Sequence, residues 1–486
     1  MIENLYLQKR TFFLLIFCTL SGLCFHYCFF GKTVGISVFL YTVLLYVLYF
    51  TQFPGLLKAQ RKLGWFFMLA ILLLAATFFI FSNEMFRFFN VVTIPFLFLY
   101  HTFLLKRVVR GEWAKPVMIA RLGSAISDMF KIFFGSFSVI GVLMKRGMDE
   151  QKYQIGKRVV MGLFISTPIL FFVTFLLMSS DDNFTKMMLR IPYYFMDLSL
   201  GPIIFQVGLV LFVTLALFSY LLSLRLETNL QEEEDALTKQ PFDLIIVGTL
   251  LILINFVYTL YVISQFSYFF EMNPATNDLY SFATYARKGF AELTVVSLIN
   301  FSILLSVLHY TALKNTVSKF LVKGLLSLLV GFSSLILFSA FYRLSLYEAA
   351  YGFTYSRLLA HSFMILLFIM LVIAFVRIWM VKLPLLKAYV VLCVSYYVGM
   401  NYMNIDVLIA EQNINRYEES GKIDLVYMEW LSDDVIPYLV RLEEKDGHHS
   451  EYLAIKRQEL SKGFEHWPEW NLSTYNAIQF LKKEKQ

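Results

Sequence analysis

Arg287, Arg343, Arg357 and Arg416 stand in short polar stretches that interrupt or follow long apolar runs. The stretches read Tyr285-Ala286-Arg287-Lys288-Gly289-Phe290-Ala291-Glu292, then Arg343 through Tyr347, Glu348, Tyr351, Gly352 and Thr354 to Arg357, then Ile409-Ala410-Glu411-Gln412-Asn413-Ile414-Asn415-Arg416. A fourth, Ser179-Ser180-Asp181-Asp182-Asn183-Phe184, adds acids. A guanidinium presents a planar fork of donors that holds a carboxylate or phosphate at two points. A charge at the centre of a bilayer costs about 3 kcal/mol, so such residues need partners. Arg287 and Glu292 lie at i and i+5, as do Arg343 and Glu348, a spacing that does not face the pair squarely on a helix. Pairing between segments is therefore expected. Asp181, Tyr285, Arg287, Glu292, Arg343, Glu348, Arg357 and Arg416 form the candidate cluster. It could hold an anionic solute or a lipid headgroup, or it could be a structural ion-pair network that locks segments together.

Other chemistry is thin. No HExxH pattern, GxSxG elbow or phosphate-binding loop occurs, so no catalytic residue, metal ligand set or cofactor is expected. His361 follows Arg357 by one helical turn and could join the cluster, or be an ordinary satisfied buried histidine. Cys18, Cys24, Cys28 and Cys393 lie in apolar runs without ligand spacing and read as filling. Basic residues sit in short loops rather than in a patch, which excludes a nucleic-acid footprint.

The elements that must position these residues are membrane spans. With 58% hydrophobic and only 16% charged residues, the chain departs from soluble domains, where about a quarter are charged. Crossing hydrocarbon about 30 Å thick takes roughly 20 helical residues. Eleven runs fit: 11–30, 33–52, 64–82, 86–106, 158–178, 202–224, 243–267, 289–310, 319–341, 358–380 and 384–402. The fold class is thus all-α, a multi-pass transmembrane helical bundle with a small C-terminal helical domain. Lys and Arg concentrate in alternate loops, above all in 106–158, which places the N-terminus inside and the C-terminus outside. All four polar stretches then share the outer side. The segment 117–144, broken by Arg121, Asp128 and Lys131, reads as an amphipathic helix on the inner surface, in contact with membrane lipid. Residues 1–106 form a four-span region, 107–157 a basic inner loop, 158–402 a seven-span core, and 403–486 the helical domain. Glu232–Asp235 reads as a solvated acidic turn.

The tail after 402 is polar and punctuated. Asn404 or Asp406 can cap a helix to Ser420, where Gly421 stops it. Ile423–Trp430 reads as a short helix; Ser432 and Asp433 cap the next, and two more fall near 449–463 and 472–483.

At these stretches the chain resembles a bacterial family of polytopic membrane proteins, domain of unknown function 4173, with its close relative 4153. Ser179–Phe184 matches a serine-alanine-aspartate-x-x-phenylalanine element, with Ser180 for the alanine. Tyr285–Phe290 matches tyrosine-alanine-arginine-arginine-glycine-phenylalanine, with Lys288 for the second arginine. Arg343 to Arg357 and Ile409–Arg416 match two further elements, and Lys422–Leu425, Leu431–Pro437 and Trp470–Ser473 extend the likeness. It covers about 158–480, the first four spans matching in hydropathy alone. The resemblance implies a bacterial cytoplasmic-membrane protein and no activity.

Three functions follow as expectations. One is a transporter of, or binding protein for, an anionic solute or headgroup. Another is a sensor, scaffold or accessory subunit with a protein partner at the C-terminal domain. The third is a membrane-embedded enzyme on a lipid or envelope precursor, with Asp181, Glu292 or Glu348 as general base. The absence of catalytic signatures favours the first two.

Overall fold

Apolar side chains recur every three or four residues through the long runs, and in the computed structural model those runs are helices. The structure describes residues 9–59, 62–107, 201–225, 243–271, 290–310, 316–380, 382–446 and 451–484, with scattered residues between 123 and 188. Among them every regular element is helical. Eight helices are long and apolar enough to cross a membrane. Of the eleven expected spans, 33–52 is a 17-residue helix, shorter than these eight. The run 384–402 forms an 18-residue helix carrying Lys387, Asn401 and four tyrosines, which falls outside the eight. Most of the span at 158–178, whose scattered described residues are helical, the acidic turn 232–235 and most of 117–144 lie outside the described residues. Within the last, 126–135 is helical, with Ile132 and Phe133 buried.

Two compact units emerge. The first comprises 1–79, 89–231 and 464–471. It holds α1 (Lys9–Phe29), α2 (Ile36–Gln52), α3 (Leu56–Ala59), most of α4 (Lys62–Ile80) and α5 (Glu84–Arg107), and α6 (Gly201–Ser223). Its interior polar groups bond across helices, as an apolar surrounding demands. Tyr46 Oη lies 2.9 Å from His101 Nδ1, and Tyr49 Oη donates to the Thr102 carbonyl at 2.9 Å. Tyr220 Oη donates to the Leu99 carbonyl at 2.9 Å.

The second unit comprises 80–88, 232–463 and 472–486. Its long helices are α7 (Leu244–Glu271), α8 (Phe290–Tyr310), α9 (Thr316–Tyr351), α10 (Tyr355–Trp379) and α11 (Leu385–Tyr402). On α9, Val322, Leu326, Leu329, Ile336, Ala340 and Leu344 make one buried stripe. On α10, Met364, Leu367, Leu371, Ala374 and Ile378 make its counterpart. Helical stripes three and four residues apart let α9 and α10 pack along their length. Asn255 donates to the Leu325 carbonyl at 3.0 Å and Asn300 to Ser333 Oγ at 3.0 Å, each across helices. The tail follows as α12 (Ile405–Ser420), α13 (Leu425–Glu429), a 3-10 turn at Asp433–Val435, α14 (Ile436–Asp446), α15 (Glu451–Ser461) and α16 (Leu472–Glu484).

Candidate functional site

The densest polar chemistry of the second unit gathers where α9 ends, α10 begins and α12 crosses them. At 36 residues α9 is about 54 Å long, well beyond what hydrocarbon requires, so Arg343 to Tyr351 continue the helix that Thr316 starts. The helix stops at Gly352, whose φ of +83° lies in the left-handed region that a side chain disfavours. A helix end leaves carbonyls without partners. Here Arg416 of α12 supplies them: its Nε donates to the Ala349 carbonyl at 3.1 Å and its Nη2 to that of Ala350 at 2.5 Å. Its Nη1 donates to the Lys422 carbonyl at 3.2 Å. One turn earlier, Asn413 grips Phe353 by both backbone groups, accepting from its N–H and donating to its carbonyl, each at 2.8 Å. Arg357 donates to the Gly352 carbonyl and lies over the Tyr347 ring, 4.4 Å from its centroid.

Glu348, 3% exposed, takes a different partner from the arginines. Its Oε2 lies 3.0 Å from His361 Nδ1 on α10. His361 Nε2 is 3.2 Å from the Phe341 carbonyl, which can only accept, so Nε2 carries a hydrogen. The imidazole thus meets one oxygen of the buried carboxylate, while the other, Oε1, has no hydrogen-bond partner among the described residues.

A second group of side chains continues from Tyr355, at the first turn of α10. The Tyr355 hydroxyl donates to Asp406, which is 1% exposed, and Asn83 donates to the other Asp406 oxygen at 2.6 Å. Tyr355 N–H donates to Tyr427 Oη at 2.8 Å, tying α13 to the start of α10. Asn404, at φ +43°, accepts from Val407 N–H and caps α12, which leaves the Asp406 carboxylate for this contact. Ser82 bonds Ser473 Oγ at 2.8 Å and accepts from Asp433 N–H at 3.1 Å; Thr474 donates to Asp433 at 2.6 Å. Asp434 sits beside them, and burial pushes its carboxyl up to about 6.

The sequence-derived residues are distributed as follows. Glu348, Arg357 and Arg416 meet at the α9–α10–α12 junction, with Arg343 half-buried on α9. Glu292 is exposed in the first turn of α8. Asp181 is exposed and its Oδ1 accepts from Phe184 N–H at 2.8 Å. Tyr285 and Arg287 lie outside the described residues. Asn83, Asp406, Tyr427 and Asp434 escaped the sequence reading as site residues, since a polar residue in a turn looks the same whether buried or solvated. Among the described residues no group of three or more His, Cys, Asp or Glu could hold a metal ion. A groove of about 550 Å³ between α7 and α8 is lined by Val247, Leu250, Ile299, Ile303 and similar side chains, with Asp243 at its edge. The Asp243 carboxylate caps α7, so the groove presents hydrocarbon rather than chemistry.

Comparison with known proteins places this junction in a family. Residues 68–442 match a family model described as Domain of unknown function (DUF4153). The match starts in α4, earlier than the polar stretches suggested, and takes in Asn83 as well as α12. No curated protein and no solved structure matches the chain.

Proposed function

The chain belongs to the DUF4153 family, and from this premise we propose that it is an integral, multi-pass membrane protein acting as a sensor, scaffold or accessory subunit. The carrying observation is the use of the arginines. Arg416 of the tail directs its donors to carbonyls at the end of α9 and Arg357 to that of Gly352, while Glu348 of α9 pairs with His361 of α10, so the arginines bind backbone and Arg416 fixes the tail against the end of α9. A hydrogen bond to a charged group contributes about 1.5–3 kcal/mol, so several together make a rigid joint. A rigidly held helical tail suits a surface for a protein partner better than a solute path.

Charge distribution supports an orientation with the tail outside. Lys319 and Lys323 near the start of α9 share an end with Arg377 at the close of α10, as Lys323 lying 5.5 Å over the Trp379 ring attests. Lys382 and Lys387 follow at the start of α11, and basic ends face inward. The bacterial cytoplasmic membrane is the setting that this reading and the family resemblance favour.

Arg416→Ala and Asn413→Ala should each free the tail, seen as faster amide exchange throughout α12 in lipid nanodiscs. Proteins cross-linked to the wild-type chain in its native membrane should be lost from the double variant. Saturable uptake of an anionic solute by proteoliposomes, equal in wild type and double variant, would sink the scaffold reading in favour of transport.

A further inference from the structure

Val426 of α13 and Trp430, the residue that caps the C-terminus of α13, stand four positions apart, and they are 66% and 84% exposed. Leu425 beside them is 42% exposed, while Met428 is 1% exposed and roots the helix in the tail. Of the exposed apolar side chains in the tail, Trp430 is the most open, ahead of Trp467 and Ile455 at 51% each. Its place in the fold gives a reason. Tyr427 Oη holds the N–H of Tyr355, which opens a 25-residue apolar helix, so α13 lies at the level where that helix starts. The same level carries Tyr347 and Tyr351 at the end of α9, their rings 4.9 Å apart, and Tyr402 at the end of α11. Tyrosine and tryptophan concentrate at membrane–water boundaries, where one part of the ring is wet and the rest apolar.

We propose that Leu425, Val426 and Trp430 form an interfacial anchor that inserts into the headgroup layer of the bilayer crossed by α10. The tail is then a membrane-apposed structure, clamped to the span ends by Arg416 and Asn413 and floated on lipid by α13. The bilayer is favoured over a protein partner because Tyr427, within the patch's own helix, bonds the first residue of α10, and tyrosines also stand at the ends of α9 and α11.

This rests on the membrane reading above, and the test separates the two. A nitroxide is placed at Val426→Cys in a chain whose native cysteines are replaced by alanine, reconstituted in phosphatidylglycerol–phosphatidylethanolamine vesicles. Its collision rates with oxygen and with a water-soluble nickel chelate report depth. Leu253→Cys, 59% exposed on the middle of α7, serves as the hydrocarbon reference, and Glu444→Cys, exposed on α14, as the aqueous one. Val426 should read between them, with chelate collisions at least threefold below those at Glu444, and Trp430→Ala should move it toward water. If Leu253 reads as aqueous, the membrane reading itself fails. If Leu253 reads as hydrocarbon while Val426 matches Glu444, or is shielded from both probes by protein, the anchor is refuted and the membrane reading stands.

Discussion

At Gly352 the backbone reverses with φ +83°, and a β-carbon added there would lie 2.7 Å from Asn413 Oδ1. That oxygen is the one accepting from Phe353, so it cannot withdraw without breaking the joint. Left-handed geometry costs an ordinary residue about 1–2 kcal/mol, and loss of the bond adds about 1 kcal/mol. Gly352→Ala should therefore destabilise the second unit by about 2–3 kcal/mol. Gly421→Ala is the control: its φ is +66°, yet nothing lies within 4 Å of the added carbon, so about 1–2 kcal/mol is expected. Urea unfolding followed by hydrogen exchange in α12 measures both. Equal losses would mean that Asn413 does not hold the turn. The residue scale is also where sequence reading was least sufficient. It pointed to Arg357, Arg416 and Glu348 as charges in need of partners. It looked for acids opposite the arginines, because side chains are what a sequence shows. The arginines' partners are carbonyls at a helix end, visible only once the chain is folded, whereas His361, which the sequence places one turn after Arg357, is the partner of Glu348.

Elements were far more legible, because periodicity and caps are local. Asn404 and Gly421 bound α12 as its punctuation suggests, whereas α13 starts at Leu425 behind an Asp424 cap and Ser432 makes no side-chain cap before the 3-10 turn that precedes α14. Less legible was how far an element runs: α9 outlasts its apolar stretch because charged and aromatic residues continue it without a breaker until Gly352. Contacts between tail elements also carry a pH signature. Asp434 faces Ser473, Asn404, Asp406 and Asp433, and its carboxyl stands at about 6 against an ordinary 3.8. A carboxyl raised on folding binds its proton more tightly in the folded state, so it opposes folding above about 6 and ceases to do so as pH falls toward 3.8. Asp434→Asn should accordingly be more stable than wild type at pH 7, with the advantage shrinking as pH falls through about 6 to 4. Thermal unfolding of both proteins at each pH gives the difference directly. A gap that stays constant over that range would show that Asp434 is not the titrating group.

The molecule must reconcile the eight long apolar helices among its described residues with a polar tail, and that sets a topology that can be measured. At 25 residues α10 is about 37 Å long, enough to cross hydrocarbon about 30 Å thick. Its two ends then lie on opposite sides of the membrane. Ser356 is exposed at its start, and Gln412 is exposed on α12, which Asn413 and Arg416 fasten to that same end. Lys382 is exposed just past its close, among the basic residues that favour the inner side. Cysteines at Ser356 and Gln412 should therefore react with a membrane-impermeant maleimide on intact cells, once native thiols are replaced. A cysteine at Lys382 should react only after permeabilisation. The reverse pattern would keep α10 as a span and invert the orientation, moving the tail and its anchor to the inner face. Labelling of all three from outside would mean that α10 does not cross. Because Ser356 and Gln412 are joined through the α9–α10–α12 junction, any condition that labels one and not the other would also break the clamp on which the scaffold reading depends.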